Sequence, residues 1–382
     1  MPTTVERVLP TEEARALLAL TGELAAKELA PRVAAAEERG EFPEEVYRLL
    51  GQTGLLGLPF GAEHGGGEQP YEVYLQVVEE LAAAWPSVAV GVAVHTLTAS
   101  VVAAHGSAEQ RDEWLPRILS GEWLGAYCLS EPQAGSDVSA ITTRAELAGD
   151  EYVVTGTKQW ISNGSHADFY LLFARTADDP RHGLSAFLVP RGTPGMTFGA
   201  PERKMGLHSD VTTSVIFDGA RLPVAHRLGE EGAGMRIALA ALDGGRLGIA
   251  AVGTGIGQGA LALAVDYARE RRQFGRPIGE FQGLSFLLAD MGAEVERARA
   301  TYLHAARLKD AGRPYSRQAS IAKLTATDAA VRVGTNAVQV LGGNGYTHDY
   351  AAERYFRDAK VTQIFEGTNQ IQRMVIARGL LA

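Results

Sequence analysis

The chain has 382 residues, 46% of them hydrophobic and 21% charged, which is long enough for two or three packed domains around a large core. Its net charge of −9 disfavours a nucleic-acid-binding surface. The one cysteine, Cys128, excludes an internal disulfide and fits a reducing compartment.

The opening MPTTVERVLPTEEARALL lacks the basic start and apolar run of a signal peptide, and its early glutamates disfavour a transit peptide, so a cytoplasmic location is expected. From Thr11 to Ser120 apolar residues recur at helical spacing, as in Leu17, Leu18, Leu24 and Leu29 and again in Val46, Leu49 and Leu50. The most apolar run, Val88 to Ala104, is broken by His95 and Thr96 and reads as too short for a membrane span, so no membrane insertion is expected. Near Gly121 the period changes. Glu151–Ile161, Phe169–Ala174 and Leu184–Val189 are short, rich in aromatic and β-branched residues and bounded by turn residues, which reads as antiparallel strands. From Gly234 the helical period returns over roughly 234–272, 280–312, 315–341 and 350–361, with a last helix after Gly367, and such a set makes a bundle. The expected organisation is an α+β multidomain chain: a helical domain over 1–120, a β domain over 121–230 and a four-helix bundle over 231–382.

Several familiar chemistries find no support. There is no Gly-x-Ser-x-Gly elbow and no pair of histidines three or four residues apart, so neither a hydrolase elbow nor a helical zinc site is expected. Ser165, His166 and Asp168 lie too close in sequence to converge as nucleophile, base and orienter. The run Gly253, Gly255, Gly257 and Gly259 fails the dinucleotide spacing and sits inside a helical pattern, where close helix packing explains it.

Three stretches carry more. Tyr127-Cys-Leu-Ser-Glu-Pro-Gln-Ala-Gly-Ser-Asp137 passes from a strand into a turn rich in Pro, Gly and Ser, whose backbone N–H groups and hydroxyls can hold a cofactor, although an ordinary strand-end loop looks the same. Trp160-Ile161-Ser162 places an aromatic plane beside a hydroxyl; by itself the tryptophan reads as a core residue. Gln339-Val340-Leu341-Gly342-Gly343-Asn344-Gly345-Tyr346 ends a helix on glycines, which cap it and also permit close approach by a ligand. A fourth, Ile364-Phe365-Glu366-Gly367-Thr368-Asn369-Gln370, sets one carboxylate among apolar neighbours, where it is either a helix-start glutamate or a base.

In this order, Cys128–Ala140, Gln339–Asp358 and "IFEGTNQIQR" resemble the motifs of the acyl-CoA dehydrogenase family, of short/medium or branched-chain type, across essentially the whole chain. The resemblance implies the same helical, β and four-helix-bundle domains, a homotetramer and one FAD per subunit, its adenine end reaching a neighbouring subunit. It implies Glu366 as catalytic base, with no rival, because the position where one branch of the family carries its base is Gly245. It implies FAD contacts from Tyr127, Leu129, Ser130, Ser136, Trp160, Ile161, Ser162, Arg271, Gln273, Phe274, Gln282, Gln339, Val340, Leu341, Gly342, Gly343, Thr368 and Gln370. Substrate contacts are implied for Ser136, Asp243, Arg246, Phe365 and Gly367. His208 departs from the arginine that many relatives carry. The implied reaction is α,β-dehydrogenation of a saturated acyl-CoA, with an electron-transfer flavoprotein as acceptor. Two alternatives stand beside it, an oxygen-using acyl-CoA oxidase and a flavoprotein of the same fold without activity.

Overall fold

The helical period of the first third is realised as α1 (Glu12–Leu24), α2 (Ala30–Arg39), α3 (Glu44–Gln52), α4 (Tyr71–Ala84), α5 (Pro86–His105) and α6 (Ala108–Leu119) in a computed structural model that describes residues 5–180 and 182–381. Thr11 caps α1, its hydroxyl accepting from the Ala14 N–H, and Ser107 with Gln110 forms a reciprocal capping box at α6. Helix α5 differs from the sequence expectation. It runs 20 residues and is long and apolar enough to cross a bilayer, but 83% of its apolar window is buried inside the protein. A helix that is apolar all round is buried on all sides, and here α4, α6, α7 and β1 supply those sides.

The middle third holds β1 (Gly125–Cys128), β2 (Arg144–Ala148), β3 (Glu151–Ser162), β4 (Phe169–Arg175), β5 (Leu184–Pro190), β6 (Met196–Phe198), β7 (Thr212–Pro223) and β8 (Arg227–Leu228). They form one sheet in the order β6-β7-β3-β2-β4-β5-β8, with β1 also pairing β4. The sheet is mixed rather than antiparallel throughout, since β1 and β2 both run parallel to β4. Parallel neighbours need a long connection and leave no local signature, and β1 reaches β4 only through β2 and β3. Along β4 the odd residues Phe169, Leu171 and Phe173 enter the core beneath α5 and α6, while Tyr170, Leu172 and Ala174 enter the core on the other face. A strand buried on both faces reads as a continuous apolar run, as this one does.

The last third opens with α7 (Gly234–Glu270), followed by the β9–β10 ribbon (Arg272–Gln273 and Arg276–Pro277), α8 (Gln282–Asp310), α9 (Ser316–Leu341), α10 (Ala352–Thr362) and α11 (Asn369–Leu381). α7 through α10 begin and end within two residues of the bounds read from the period. The three long helices form the body of the bundle, and α10 and α11 pack on α9 as its fourth side. α4 and α5 pack on α7 too, so the first and last thirds share one core. The glycine run explains that closeness. A Cβ at Gly253 would lie 3.2 Å from the Ala326 carbonyl of α9, and one at Gly255 2.6 Å from Ala82 Cβ of α4. Glycine costs about 1 kcal/mol per position in a helix interior, and close packing is what it permits in return.

Candidate active site

Helix α10 ends at Thr362 and α11 begins at Asn369, and the turn between them carries Glu366 beside α7. Glu366 and Gly367 have φ of +54° and +85°, two successive left-handed residues of which only the glycine is at ease. That backbone turns the Glu366 carboxylate towards α7 at Gly245, where a Cβ would overlap Oε2 and lie 3.1 Å from the carboxyl carbon. The residue is partly buried, but Oε2 is sealed from solvent and has no hydrogen-bond partner. Burial pushes its pKa up to about 7, and the Lys323 and Arg246 charges offset only part of that push. A carboxylate so placed is a far stronger base than one in water. Arg246, itself buried, is paired with Asp243 at 2.6 Å and leaves its Nε unpartnered, so a second unsatisfied polar atom belongs to this neighbourhood.

Gly245 also lines a cleft of about 150 Å³ between α4, α5 and α7. Tyr71 and Tyr74, Leu97 and Ser100, and Gly244, Gly245 and Gly248 form its walls, with Lys309 and Tyr315 contributing from α8 and the turn before α9. Tyr71 is fixed by its hydroxyl, which donates to the Gly244 carbonyl at 3.1 Å, and Lys309 Nζ lies 4.6 Å from the Tyr71 ring centre. Burial drives the Tyr71 and Tyr74 hydroxyls well above their ordinary range, and the Glu366 charge adds to it, so both stay protonated. The cleft is small, lined by both apolar and polar side chains, and adjacent to the Glu366 carboxylate through Gly245.

At the end of β3, Trp160 has φ +63° and is 59% exposed, not in the core that its residue type suggests. A large aromatic held in the left-handed region and turned to solvent is an unusual arrangement, and it presents a flat apolar face. Beside it the Ser162 hydroxyl donates to Asp210 Oδ2 at 3.0 Å, while Asp210 Oδ1 is buried without a partner. On the neighbouring β1, Tyr127 donates to the Ala238 carbonyl of α7 at 3.3 Å, linking the sheet to the helix that carries Gly245. Thr368 caps α11, its hydroxyl accepting from the Ile371 N–H at 3.2 Å. An exposed aromatic plane with a hydroxyl two residues on, at the end of β3, fits a planar, polar-edged ring system such as a flavin.

The remaining candidates divide. The side chains of Leu129, Ile161, Val340 and Leu341 belong to the hydrophobic core, which leaves only their backbone for a ligand. Ser130 and Phe365 are partly buried, and Ser136 and Gln370 are exposed. Arg271, Gln273, Phe274, Gln282, Gln339, Gly342 and Gly343 are exposed, Phe274 at 93%. Among the described residues no hydrogen bond joins this set to Trp160 or Glu366, and Arg271 lies roughly 39 Å from Gly245 along α7 at 1.5 Å per residue. Within one chain Arg271 therefore stands apart from the Glu366 neighbourhood. His208 is held through its ring at 3.1 Å from both the Glu37 and Lys204 carbonyls, and its backbone N–H donates to Glu37 Oε2 at 2.8 Å. Ser165, His166 and Asp168 do not form a triad: His166 stacks on Phe42 and Asp168 accepts from the Leu124 N–H.

Sequence reasoning missed Lys323, Asp210 and the cleft residues Tyr71 and Tyr74. For Lys323 a signal existed, a lone cation on a helical face otherwise made of Ala319, Ser320, Ala326 and Thr327. The tyrosines have no local signature, because their role comes from a partner helix 170 residues away.

The chain matches the family models described as acyl-CoA dehydrogenase N-terminal, middle and C-terminal domains over residues 11–122, 126–220 and 232–381. It is 44% identical over 373 residues to an acyl-CoA dehydrogenase of Bacillus subtilis, covering 97% of this chain and 98% of that one. It is 42% identical to the short-chain specific acyl-CoA dehydrogenase of Clostridium acetobutylicum, covering 96% and 97%. Among solved structures, butyryl-CoA dehydrogenase from Megasphaera elsdenii superposes with a TM-score of 0.96 at 40% identity, covering 99% of this chain and 100% of that one. A chain in a structure of the electron transferring flavoprotein of Acidaminococcus fermentans gives a TM-score of 0.97 at 43% identity, covering 99% and 100%.

Proposed function

The chain belongs to the acyl-CoA dehydrogenase family, an enzyme family that uses FAD, and from that premise we propose that it oxidises a short saturated acyl-CoA to the 2,3-trans-enoyl-CoA, with Glu366 as the base. The observation that carries this reading is the carboxylate itself, its Oε2 buried without a partner next to a small cleft. The relatives named for short-chain acyl-CoA and butyryl-CoA support the chain length.

The chemistry divides between two hydrogens. Glu366 takes the Cα proton on a carboxylate oxygen, where desolvation has raised its basicity towards 7. FAD, when bound, supplies the acceptor for the Cβ hydride. The Trp160 indole and Ser162 hydroxyl of the β domain would hold its ring system, with Thr368 at the start of α11, as their exposed plane and hydroxyls support. Tyr71, Tyr74 and Leu97 position the acyl chain and exclude water from the carboxylate. Arg246 and Asp243, paired at the edge of the same neighbourhood, would meet the polar part of the thioester ligand. Arg271, too far along α7 to share this end of the site, and the exposed Gln339–Gly343 segment at the end of α9 fit the adenine end of FAD held by a second copy of the chain in a homotetramer. The structural relative from the electron transferring flavoprotein structure supports a flavoprotein of that kind as electron acceptor.

Glu366→Gln tests the reading, because it keeps size and hydrogen bonding while removing basicity. Mixed anaerobically with butyryl-CoA, the FAD-loaded variant is expected to bind the thioester and to bleach its flavin on the order of 10²–10⁴-fold more slowly than wild type. Bleaching at the wild-type rate would remove Glu366 from the chemistry.

A further inference from the structure

Lys323 lies in the middle of α9 with its side chain fully buried, on a face whose neighbours at helical spacing are Ala319, Ser320, Ala326 and Thr327. A buried ammonium must find acceptors or lose its proton. Nζ donates to the Gly367 carbonyl at 2.9 Å and to Asn369 Oδ1 at 3.0 Å. Asn369 in turn donates to Thr327 Oγ1 at 2.9 Å and to Asp328 Oδ1 at 2.8 Å. From α11 the Gln372 side-chain amide donates to the same Gly367 carbonyl at 2.8 Å. The Gly367–Thr368 peptide is thus gripped by donors from two helices, directly after two consecutive residues with positive φ. A strained turn persists only where its surroundings over-determine it, and Lys323 is a charged member of those surroundings.

We propose that Lys323 is a positioning residue for the proton-transfer step: it holds the Gly367 carbonyl so that the Glu366 carboxylate faces the cleft, and its ammonium is the charge against which that carboxylate ionises. The inference rests on Glu366 being the base. Lys323 makes no hydrogen bond to Glu366 in the structure, yet of the neighbouring charges it does most to hold the Glu366 pKa down. The influence is mutual. Burial lowers the Lys323 pKa to about 7, while Glu366 and Asp328 pull it up and Arg246 pushes it down. The other groups facing the pair are Asp243, paired with Arg246 on α7, Arg373 of α11 on Asp328, Tyr71 and Tyr74 on α4, and Tyr127 on β1. Two buried groups that ionise near the same pH titrate as a pair, so the acid limb of turnover belongs to both.

The test compares Lys323→Gln, Lys323→Met and Thr327→Val as FAD-loaded full-length enzymes, reading kcat and KM for butyryl-CoA from pH 5.5 to 9 with a dye acceptor, about a unit and a half below and two above the expected limb. Glutamine can still donate to the Gly367 carbonyl but carries no charge, so the acid limb of kcat should move up by roughly one unit, a loss of about tenfold below the limb with KM changed far less. Methionine withdraws the donor as well and should lower kcat across the whole range in addition to moving the limb. Thr327→Val breaks the neighbouring contact to Asn369 and keeps the ammonium, so its limb should stay where the wild-type limb lies. A Lys323→Gln limb at the wild-type pH, or a chain that folds with neither glutamine nor methionine at 323, makes Lys323 scaffold alone and overturns the proposal. If Glu366→Gln is inactive while the Lys323→Gln limb has not moved, only this inference fails and the assignment of the base stands.

Discussion

Two glutamates, one buried on a helix and one with a sealed carboxylate oxygen in a turn between helices, have opposite electrostatic fates. Glu79, on α4, has no solvent exposure and accepts from Arg7 Nη2 at 3.1 Å, from Arg299 Nε and Nη2 at 3.0 and 2.8 Å, and from the Tyr302 hydroxyl. Burial pushes its pKa up, but Arg7 and Arg299 outweigh that push and hold it below the ordinary value. Glu366 has charged neighbours, Lys323 and Arg246, yet neither bonds to it, and burial prevails. Burial alone therefore does not distinguish a structural carboxylate from a reactive one. The partners decide: Glu79 spends its basicity on three side chains from the N-terminal segment and α8, and Glu366 keeps its basicity available.

The largest expected effect breaks the structural member of the pair. Glu79→Gln leaves Arg299 and Arg7 facing a neutral amide, and removing one partner of a buried ion pair costs about 3–5 kcal/mol. Chemical denaturation at pH 7 should show that loss, with turnover of the remaining folded enzyme unchanged. A loss below about 1 kcal/mol would mean that the network behaves as a surface one does.

The pH dependence of stability sharpens the contrast, because the two groups have opposite signs. Glu366 has a folded pKa near 7 against an ordinary 4.5, so the stability associated with its protonated form is complete below about 4.5 and is lost as pH rises through 7. By pH 8 the ionised residue costs the fold up to about 3 kcal/mol relative to a neutral side chain of the same shape. Glu366→Gln should match wild type in thermal unfolding near pH 4 and exceed it at pH 8. Glu79, with its folded pKa below 4.5, contributes stability that is complete above that value and is lost as pH falls through the folded pKa, so its glutamine variant should recover relative to wild type only in acid. If Glu366→Gln gains nothing at pH 8, the carboxylate is better solvated than its sealed Oε2 indicates.

How far these features could be read from sequence depends on whether their cause is local. The order of helices, strands and helices follows from period and turn residues, and α7 through α10 end within two residues of that reading. The glycines at 253, 255, 257 and 259 signalled close packing because small residues at fixed spacing in a helix have few other uses. The two parallel strand pairs had no such signal, since β1 and β4 meet across about forty residues of chain. Trp160 could not be placed by residue type either, because its exposure follows from a backbone conformation at the end of β3. Glu366 was legible as a carboxylate among apolar residues. Lys323 left a weaker signal, a lone cation on a face of small residues, because such a lysine usually extends its charge to water, and here the α10–α11 turn closes over it.

The smallest effect tests what leaves Glu366 room. Gly245 lies within α7, where alanine would ordinarily stabilise the helix by about 1 kcal/mol. A Cβ there would nevertheless overlap Glu366 Oε2. Because the obstacle is the end of a flexible side chain, the carboxylate can rotate aside, and the helix need not move. Gly245→Ala should therefore fold with a melting temperature close to wild type, the gain in propensity and the cost of the displaced rotamer nearly offsetting each other. Turnover should suffer, since a displacement of about 1 Å from the reactive geometry costs up to 10²-fold. A fall in kcat of roughly ten- to a hundredfold is expected, without a comparable change in FAD content. Gly244→Ala is the control: its Cβ would meet the Tyr71 hydroxyl at 3.4 Å, in the same cleft, and does not touch Glu366. Equal losses in both variants would trace the effect to cleft volume and separate it from the carboxylate, whereas a loss confined to Gly245→Ala ties the missing side chain on α7 to the missing partner on Glu366.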